Sequence, residues 1–216
     1  MTSTGASPRG SAEFSPCGEH RLRLDRWWAD GPRALIGLAN PSKAGGDVND
    51  PTVHRGMALT RERAAGMTYV NRDSYIATDP DDLTRWRLRM RRESPADLDR
   101  IERTNLDLIR ELSAGAAIRI IACGNLVQMP RLPPFLAALS LDGKYPVYCF
   151  GLTQHGAPKH PLARGKSFIK ASDPLVDRIH TALTHINRRA NTIIHLTELL
   201  AEQTARLERR IGQRDG

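Results

Sequence analysis

Four short apolar runs recur along the chain, and each of them gives way to polar residues. They span residues 34–38, 67–70, 118–122 and 147–150. Continuous apolar runs of this kind are typical of strands that are covered on both faces. Helical segments separate them, and this alternation implies right-handed crossovers between parallel strands. We therefore predict an α/β fold with three α/β/α layers around a small, mostly parallel, four-stranded sheet.

The two ends of the chain differ from this central pattern. Residues 1–16 are rich in Ser, Gly, Pro and Thr, with too few apolar side chains to offset the entropy of ordering them, so we predict a disordered lead. Leu22 and Leu24 alternate with charged residues as in a half-buried strand. The domain is placed at residues 17–170. Apolar residues at helical spacing over 171–216 predict amphipathic helices that pack on it and fray at the end.

Distinctive residues stand in the loops that follow the four predicted core strands. They are Asn40, Pro41 and Ser42, then Asn71 and Arg72, then Gly124 and Asn125, and finally Lys159, His160 and Leu162. Open parallel sheets bind their ligands beyond the carboxyl ends of their strands. The pattern therefore predicts a single site to which several loops contribute.

The loop after the first core strand leads into a predicted helix. Asp50 precedes Pro51, a pair that suits a helix N-cap followed by proline at the first helical position. Asp47 and Asp50 are the first two carboxylates that follow Asn40 in the sequence, and either could serve in catalysis. Capping alone also explains Asp50. Arg55, one turn into the helix, is a candidate phosphate contact.

The charge balance indicates the kind of partner. The 32 Lys and Arg residues outnumber the 24 Asp and Glu residues, which leaves a formal charge of +8. A polyanion such as nucleic acid, a nucleotide or an anionic surface fits that excess. Most of the cations are Arg, which binds phosphate in bidentate fashion, although a GC-rich genome produces the same bias.

Cysteine usage and hydropathy indicate the compartment. The three cysteines are far apart and odd in number, which argues against a disulfide framework. No apolar run approaches a membrane span, and the N-terminus lacks the apolar stretch of a secretory signal. We expect a cytoplasmic protein without a membrane partner.

Four motifs together resemble a known family. They are Asn-Pro-Ser at 40–42, Asp-Pro-Thr at 50–52, Asn-Arg at 71–72, and the segment from Gly-Leu-Thr at 151–153 to His-Pro-Leu at 160–162. The chain from Arg21 to Ala163 thereby resembles a bacterial and phage family known only as a domain of unknown function, number sixteen forty-three in its series. That resemblance implies no activity.

The order of the motifs carries a second, more distant resemblance. A core strand runs into Gly-Leu-Ala-Asn-Pro at 37–41, a second strand ends at Asn71, a third ends in a turn before Gln128, and a late loop holds His160 and Pro161. This order is similar to the uracil-DNA glycosylase superfamily, in particular its mismatch-specific branch. The chain departs from it after Pro161, where Leu162, Ala163 and Arg164 replace the serine-containing continuation. Asn40 also stands where uracil-specific enzymes carry Asp, and three cysteines are too few for the iron-sulfur branch.

The glycosylase resemblance implies a role for each candidate residue. Breaking an N-glycosidic bond needs an oriented water, a negative charge near the oxocarbenium ion and a donor for the departing base. By this resemblance Asn40 holds the water and His160 donates to the base or to a phosphate. Asn71 recognises the base edge, and Arg72 contacts phosphate. The competing explanations are an Asn-Pro turn for Asn40 and a solvated basic loop around His155, Lys159 and His160.

Two other patterns were weighed. Arg85, Arg87, Arg89, Arg91 and Arg92 flank Trp86, which suits a nucleic-acid backbone with a stacking ring as well as a plain solvated face. Cys17 and His20 have metal-like spacing, but no second pair accompanies them, so no metal and no cofactor are expected.

Three functional hypotheses follow. The first is a DNA glycosylase-like hydrolase that recognises a damaged or modified base, with DNA or a free nucleotide as substrate. The second is a nucleic-acid-binding module that keeps the base pocket without catalysis. The third is an N-glycosidic hydrolase or transferase of modified nucleotides. Sequence alone gives no oligomeric state.

Overall fold

The computed structural model describes residues 9–41, 49–77, 79–124, 131–153 and 157–177. The chain divides into two compact units, Met1–Asp177 and Arg178–Gly216. The second unit, which contains most of the predicted C-terminal helices, lies outside the described residues. The packing of those helices on the domain stays a prediction.

Strands and helices alternate along the first unit. The strands are β1 (Arg9–Phe14), β2 (Arg21–Trp27), β3 (Ala34–Leu38), β4 (Gly66–Asn71), β5 (Ile118–Ile121), β6 (Tyr148–Cys149) and β7 (Val176–Asp177). The helices are α1 (Pro51–Thr60), α2 (Pro80–Glu93), α3 (Pro95–Ala114) and α4 (Leu132–Ser140). None of these helices combines the length and the apolar character that crossing a membrane requires.

One mixed sheet organises this unit, with strand order β1-β2-β4-β3-β5-β6-β7. β3 runs parallel to β4 and β5, and β6 runs parallel to β5. β2 is antiparallel to β1 and β4, and β7 is antiparallel to β6. The α/β class and the parallel centre are therefore confirmed, whereas a four-stranded sheet is wrong because three antiparallel strands extend it at both sides.

Strand β1 lies inside the stretch that was predicted to be disordered, so that prediction is wrong for Arg9–Phe14. Residues 1–8 lie outside the described part of the chain. β1 pairs with β2 along its whole length, and Ser11 Oγ donates to the Asp25 carboxylate at 3.3 Å. Composition missed this strand because its stability comes from backbone pairing with a neighbour rather than from its own apolar side chains.

Helices pack against both faces of the sheet. Ile36 of β3 belongs to an apolar cluster with Val53 and Met57 of α1. A Cβ on the next residue, Gly37, would lie 2.7 Å from the Phe135 ring of α4, so only glycine fits at this crossing. Because successive strand residues point to opposite faces, α1 and α4 lie on opposite sides of β3.

Helices α1 and α2 each begin at an aspartate followed by proline. Asp50 accepts a hydrogen bond from the Val53 N–H at 2.8 Å, which confirms the predicted cap of α1. Asp79 caps α2, a helix that the sequence did not reveal because its residues are mostly charged. Leu83 and Trp86 nevertheless bury one side of α2.

Candidate functional site

The carboxyl ends of the parallel strands meet at one edge of the sheet. Leu38 of β3 is in register with Asn71 of β4, and Gly37 is in register with Ile121 of β5. Backbone hydrogen bonds continue past the strand ends, from Arg72 N–H to the Leu38 carbonyl and from Ala122 N–H to the Gly37 carbonyl. The loops that carry the predicted site residues therefore start side by side.

Asn71 occupies an unusual position at this edge. Its side chain is fully buried, and neither its Nδ2 nor its Oδ1 has a hydrogen-bond partner among the described residues. Strand alternation places it on the same face as Tyr69, which is the face that α1 covers. Its backbone carbonyl accepts a hydrogen bond from Asn105 Nδ2 at 2.9 Å, so the main chain is held while the side-chain amide is not.

Arg21, Asp50 and Tyr69 form a charged cluster on the α1 face. Arg21 is 2% exposed, and burial lowers its pKa to about 10 although the Asp50 carboxylate favours the charged form. Tyr69 donates to the Thr52 carbonyl at 2.8 Å; burial and the Asp50 charge raise its pKa. The pairing of β1 and β2 is irregular beside Arg21, which alters the strand alternation at this residue.

His160 faces the same carboxylate. Burial lowers the pKa of His160, and the Asp50 charge opposes that shift, so the ring is neutral near pH 7. Its Nδ1 accepts a hydrogen bond from the Leu162 N–H at 3.2 Å. A neutral imidazole with Nδ1 as acceptor carries its proton on Nε2. His160 thus offers an Nε2–H donor within the field of Asp50.

Gly124 makes room for the His160 loop. Its φ is +65°, and a Cβ there would lie 3.2 Å from the Cβ of His160. Gly124 N–H donates to the Pro158 carbonyl at 2.8 Å. In the same loop, Lys159 N–H donates to the Gly151 carbonyl at 2.9 Å, and its side chain extends beside Gly151. The turn after β5 and the His-Pro loop are therefore locked together by backbone contacts.

Asn40 and Pro41 have structural contacts. Asn40 Nδ2 donates to the Ala77 carbonyl at 2.8 Å, and the Ala77 N–H donates to the Pro41 carbonyl at 3.2 Å. These bonds tie the turn after β3 to the segment after β4. The amide of Asn40 is therefore directed to the backbone, and its predicted catalytic role stays a prediction.

The two arginines predicted to contact phosphate are engaged inside the fold. Arg72 is buried and ion-pairs with Asp73 at 2.8 Å. Asp73 also accepts from Arg87 at 2.7 Å and from Arg131. Arg55 donates to the Ile169 carbonyl and lies 4.8 Å from the centre of the Phe168 ring. The Arg72 guanidinium is thus buried in an ion pair, whereas the half-buried Arg55 holds a backbone carbonyl.

Some predicted site residues fall elsewhere. Ser42, Asp47, Asn125 and His155 lie outside the described residues, so their predicted roles stay predictions. Arg21 and Tyr69 were missed by sequence reasoning. Arg21 has the same charge as Arg23, its neighbour along the same strand, and nothing in the alternating pattern marks it as buried.

A surface cavity lies beside α2. Its volume is about 440 Å³, and its lining consists of Tyr75, Ile76, Ala77, Asp82, Arg85, Trp86 and Arg89. The rings of Tyr75 and Trp86 stack at 4.4 Å with an angle of 8°. The arginine run that the sequence suggested for a nucleic-acid backbone lies on α2: Arg85 and Arg89 line the cavity, whereas Arg87 belongs to the buried Asp73 network.

Fold and site define an α/β domain with buried polar groups at the carboxyl edge of its parallel strands. The chain belongs to the family described as Protein of unknown function (DUF1643), whose model matches residues 21–162. The matched range therefore contains the charged cluster of Arg21, Asp50 and Tyr69 and also His160. Comparison with curated proteins gave no match, and comparison with solved structures gave none either.

Proposed function

We propose that this protein is a glycosylase-like hydrolase that recognises a damaged or modified nucleobase, with DNA as its substrate, and breaks the N-glycosidic bond. The observation that carries the proposal is the buried Asn71 amide, for which no described residue provides a hydrogen bond. Helices on both faces of a parallel sheet centre also fit the three-layer glycosylase architecture. The net charge of +8 fits a DNA partner.

An unpartnered buried amide is unfavourable to folding. Each buried polar group without a partner costs about 1–3 kcal/mol. A carboxamide offers two donors and one acceptor with two lone pairs, which complement the Watson-Crick edge of a base. Asn71 therefore gains in the complex hydrogen bonds that no described residue provides in the free protein. Because the side chain is fully covered, neighbouring groups must move when the base enters.

The neighbouring charges supply the chemistry. As the glycosidic bond breaks, electrons accumulate on the departing base, and the Nε2–H of a neutral His160 donates to it. The Asp50 carboxylate stabilises the oxocarbenium ion that develops on the sugar. A water molecule adds to that carbon and releases a proton, which the departed base takes up, so the products are the free base and an abasic sugar. Arg21 balances the Asp50 charge while the site is empty.

A second function is favoured by one specific observation. Asn40 and Asp50, two of the three residues predicted to be catalytic, use their side chains to hold backbone groups. A module that binds a base through Asn71 without cleaving the bond would need Asn40 and Asp50 only in these structural roles. Such a module would bind nucleic acid with steep salt dependence and would leave the bond intact.

The experiment is an abasic-site assay on single- and double-stranded DNA that carries uracil, mismatched thymine or other modified bases. Wild type is compared with Asn71→Leu and His160→Leu. We expect cleavage of at least one substrate by wild type and a loss of about 100-fold in His160→Leu, since a donor to the developing charge is removed. Binding without cleavage in wild type would support the module. Neither binding nor cleavage would direct the search to free nucleotides.

Stability measurements test the Asn71 argument separately. Asn71→Leu should raise the free energy of unfolding by about 1–3 kcal/mol, because an unsatisfied buried amide is replaced by an apolar side chain of similar size. The matched control is Asn105→Leu, which should lower stability, because Asn105 Nδ2 donates to the backbone carbonyls of Asn71 and Arg72. Equal destabilisation in both variants would remove the basis of the proposal.

A further inference from the structure

The turn between β1 and β2 gathers three side chains that can ligate a metal. One donor atom each from Cys17, Glu19 and His20 lies within 4.8 Å of the other two. The proposed mechanism uses none of the three. Cys17 and Glu19 are exposed, so an ion can reach the cluster from solvent.

Backbone hydrogen bonds hold this turn in shape. Ser15 N–H donates to the His20 carbonyl at 2.9 Å, and Gly18 N–H donates to the Ser15 carbonyl at 2.9 Å. Gly18 has a φ of +74°, which glycine adopts at little cost. His20 N–H donates to Ser15 Oγ at 3.1 Å. The three donors are therefore close together before any ion binds.

The His20 ring is fixed by contacts outside the turn. Its Nδ1 lies 2.9 Å from Ser74 Oγ, and His20 as a residue is 7% exposed. It packs edge-on against Tyr75 and Trp86, with ring centres 5.7 and 5.5 Å away. Histidine ligands in metal sites are commonly oriented by a hydrogen bond of this kind to a second side chain. The buried His20 ring is therefore held in a fixed orientation, and the two exposed ligands leave the other side of the cluster open to solvent.

We propose that Cys17, Glu19 and His20 bind one Zn²⁺ ion. A thiolate, an imidazole and a carboxylate together select zinc over Mg²⁺ or Ca²⁺, which prefer oxygen ligands alone. Three protein ligands leave one tetrahedral position for water. From sequence, Cys17 and His20 were set aside for want of a second ligand pair; Glu19 is the third ligand, and the water makes a second pair unnecessary.

The position of the cluster gives the ion a role. Arg21 follows His20 directly, and its N–H donates to the Ser74 carbonyl at 2.9 Å. An ion on His20 would fix the start of β2 and, through Ser74, the segment that follows β4. It would thereby hold Arg21 in place beside Asp50. This inference stands apart from the proposed base excision, because binding can be measured without any activity.

The test is a titration of the full chain with Co²⁺, a spectroscopic substitute for zinc, after chelator treatment and with a thiol-free reductant. We expect a thiolate-to-cobalt charge-transfer band that saturates at one ion per chain and disappears when Zn²⁺ is added. Cys17→Ser should abolish the band, and Glu19→Gln should weaken binding about tenfold. The control Glu62→Gln changes an exposed glutamate elsewhere and should bind as wild type. A band that persists in Cys17→Ser, or none in wild type, overturns the proposal.

The reactivity of the Cys17 thiol reports Zn²⁺ binding directly, without the Co²⁺ spectrum. Cys17 is exposed, whereas Cys123 and Cys149 are buried, so a thiol reagent should modify the native protein at one position. Stoichiometric Zn²⁺ should slow that modification at least tenfold, because the ion occupies the thiolate. An unchanged rate overturns the proposal.

Discussion

The side-chain amide of Asn40 donates to the backbone carbonyl of Ala77 over 2.8 Å. Ala77 is buried, so its carbonyl has little access to solvent as an alternative partner. The Ala77 N–H in turn donates to the Pro41 carbonyl. This pair of bonds joins the turn after β3 to the segment after β4, which is distant in sequence, and the geometry of the site edge depends on them.

Asn40→Ala should therefore reduce the free energy of unfolding by about 1–3 kcal/mol, because a buried carbonyl loses its donor. Urea denaturation followed by circular dichroism measures the change. Asn40→Asp keeps the size of the side chain but removes the N–H donor, and we expect it to lose at least as much. Wild-type stability in both variants would show that the Ala77 contact is dispensable.

The central part of the fold could be predicted because its strands bury both faces. Runs of apolar residues such as 34–38 and 118–122 have few alternatives to a covered parallel strand. The cap at Asp50 was also predictable, since its chemistry is local. The edge strand β1 was not, because its pairing partner β2 rather than its own composition stabilises it.

The site was harder to predict, because its key properties depend on burial. Asn40 and Asn71 are both asparagines at strand ends, yet one holds a backbone carbonyl and the other lacks a partner in the described structure. Arg21 and Arg72 are likewise buried in different surroundings, the first near Asp50 and the second against Asp73. Three-dimensional packing decides these differences, so they cannot be predicted from the type of residue and its position in the sequence.

The two roles of Asp50 can be separated by substitution. Asp50→Ser keeps an oxygen that caps α1, whereas Asp50→Ala removes cap and charge together. We expect Asp50→Ala to be about 1 kcal/mol less stable than Asp50→Ser, which is the contribution of the cap. Both variants should be less stable than wild type, because the buried Arg21 loses the carboxylate that balances its charge. Both variants should lower the pKa of His160 further, because the carboxylate that favours the imidazolium is gone. NMR titration of the imidazole measures this, and a His160 pKa unchanged in both would contradict the proximity of the two groups.

Stability should fall on mild acidification. Burial lowers the pKa of His160 in the folded protein, whereas in the unfolded chain it keeps its ordinary pKa of about 6.5. As pH falls through that value, the unfolded state binds a proton that the folded state does not, so the free energy of unfolding decreases. His160→Gln should flatten this dependence between about pH 7.5 and 5.5. His54, an exposed histidine of α1, provides the control: His54→Gln should keep the wild-type slope in urea denaturation.

The most sensitive electrostatic position should be Asp73. Its side chain is 2% exposed and accepts hydrogen bonds from Arg72 at 2.9 Å, from Arg87 at 2.7 Å and from Arg131. Asp73→Asn removes the negative charge that these three cations share, and uncompensated charge in a buried position is strongly unfavourable. We expect a loss of about 3–5 kcal/mol in the free energy of unfolding.

Asp82→Asn is the matched control for this substitution. Asp82 pairs with Arg85 on the exposed side of α2, where solvent screens the interaction, so the loss should stay below about 1 kcal/mol. Urea midpoints at low and high salt compare the two sites, and only the exposed pair should respond to salt. If Asp73→Asn lowers the free energy of unfolding no more than Asp82→Asn does, the three arginines that contact Asp73 must find other partners in the variant. Arg72 would then again be a candidate for contact with a phosphate.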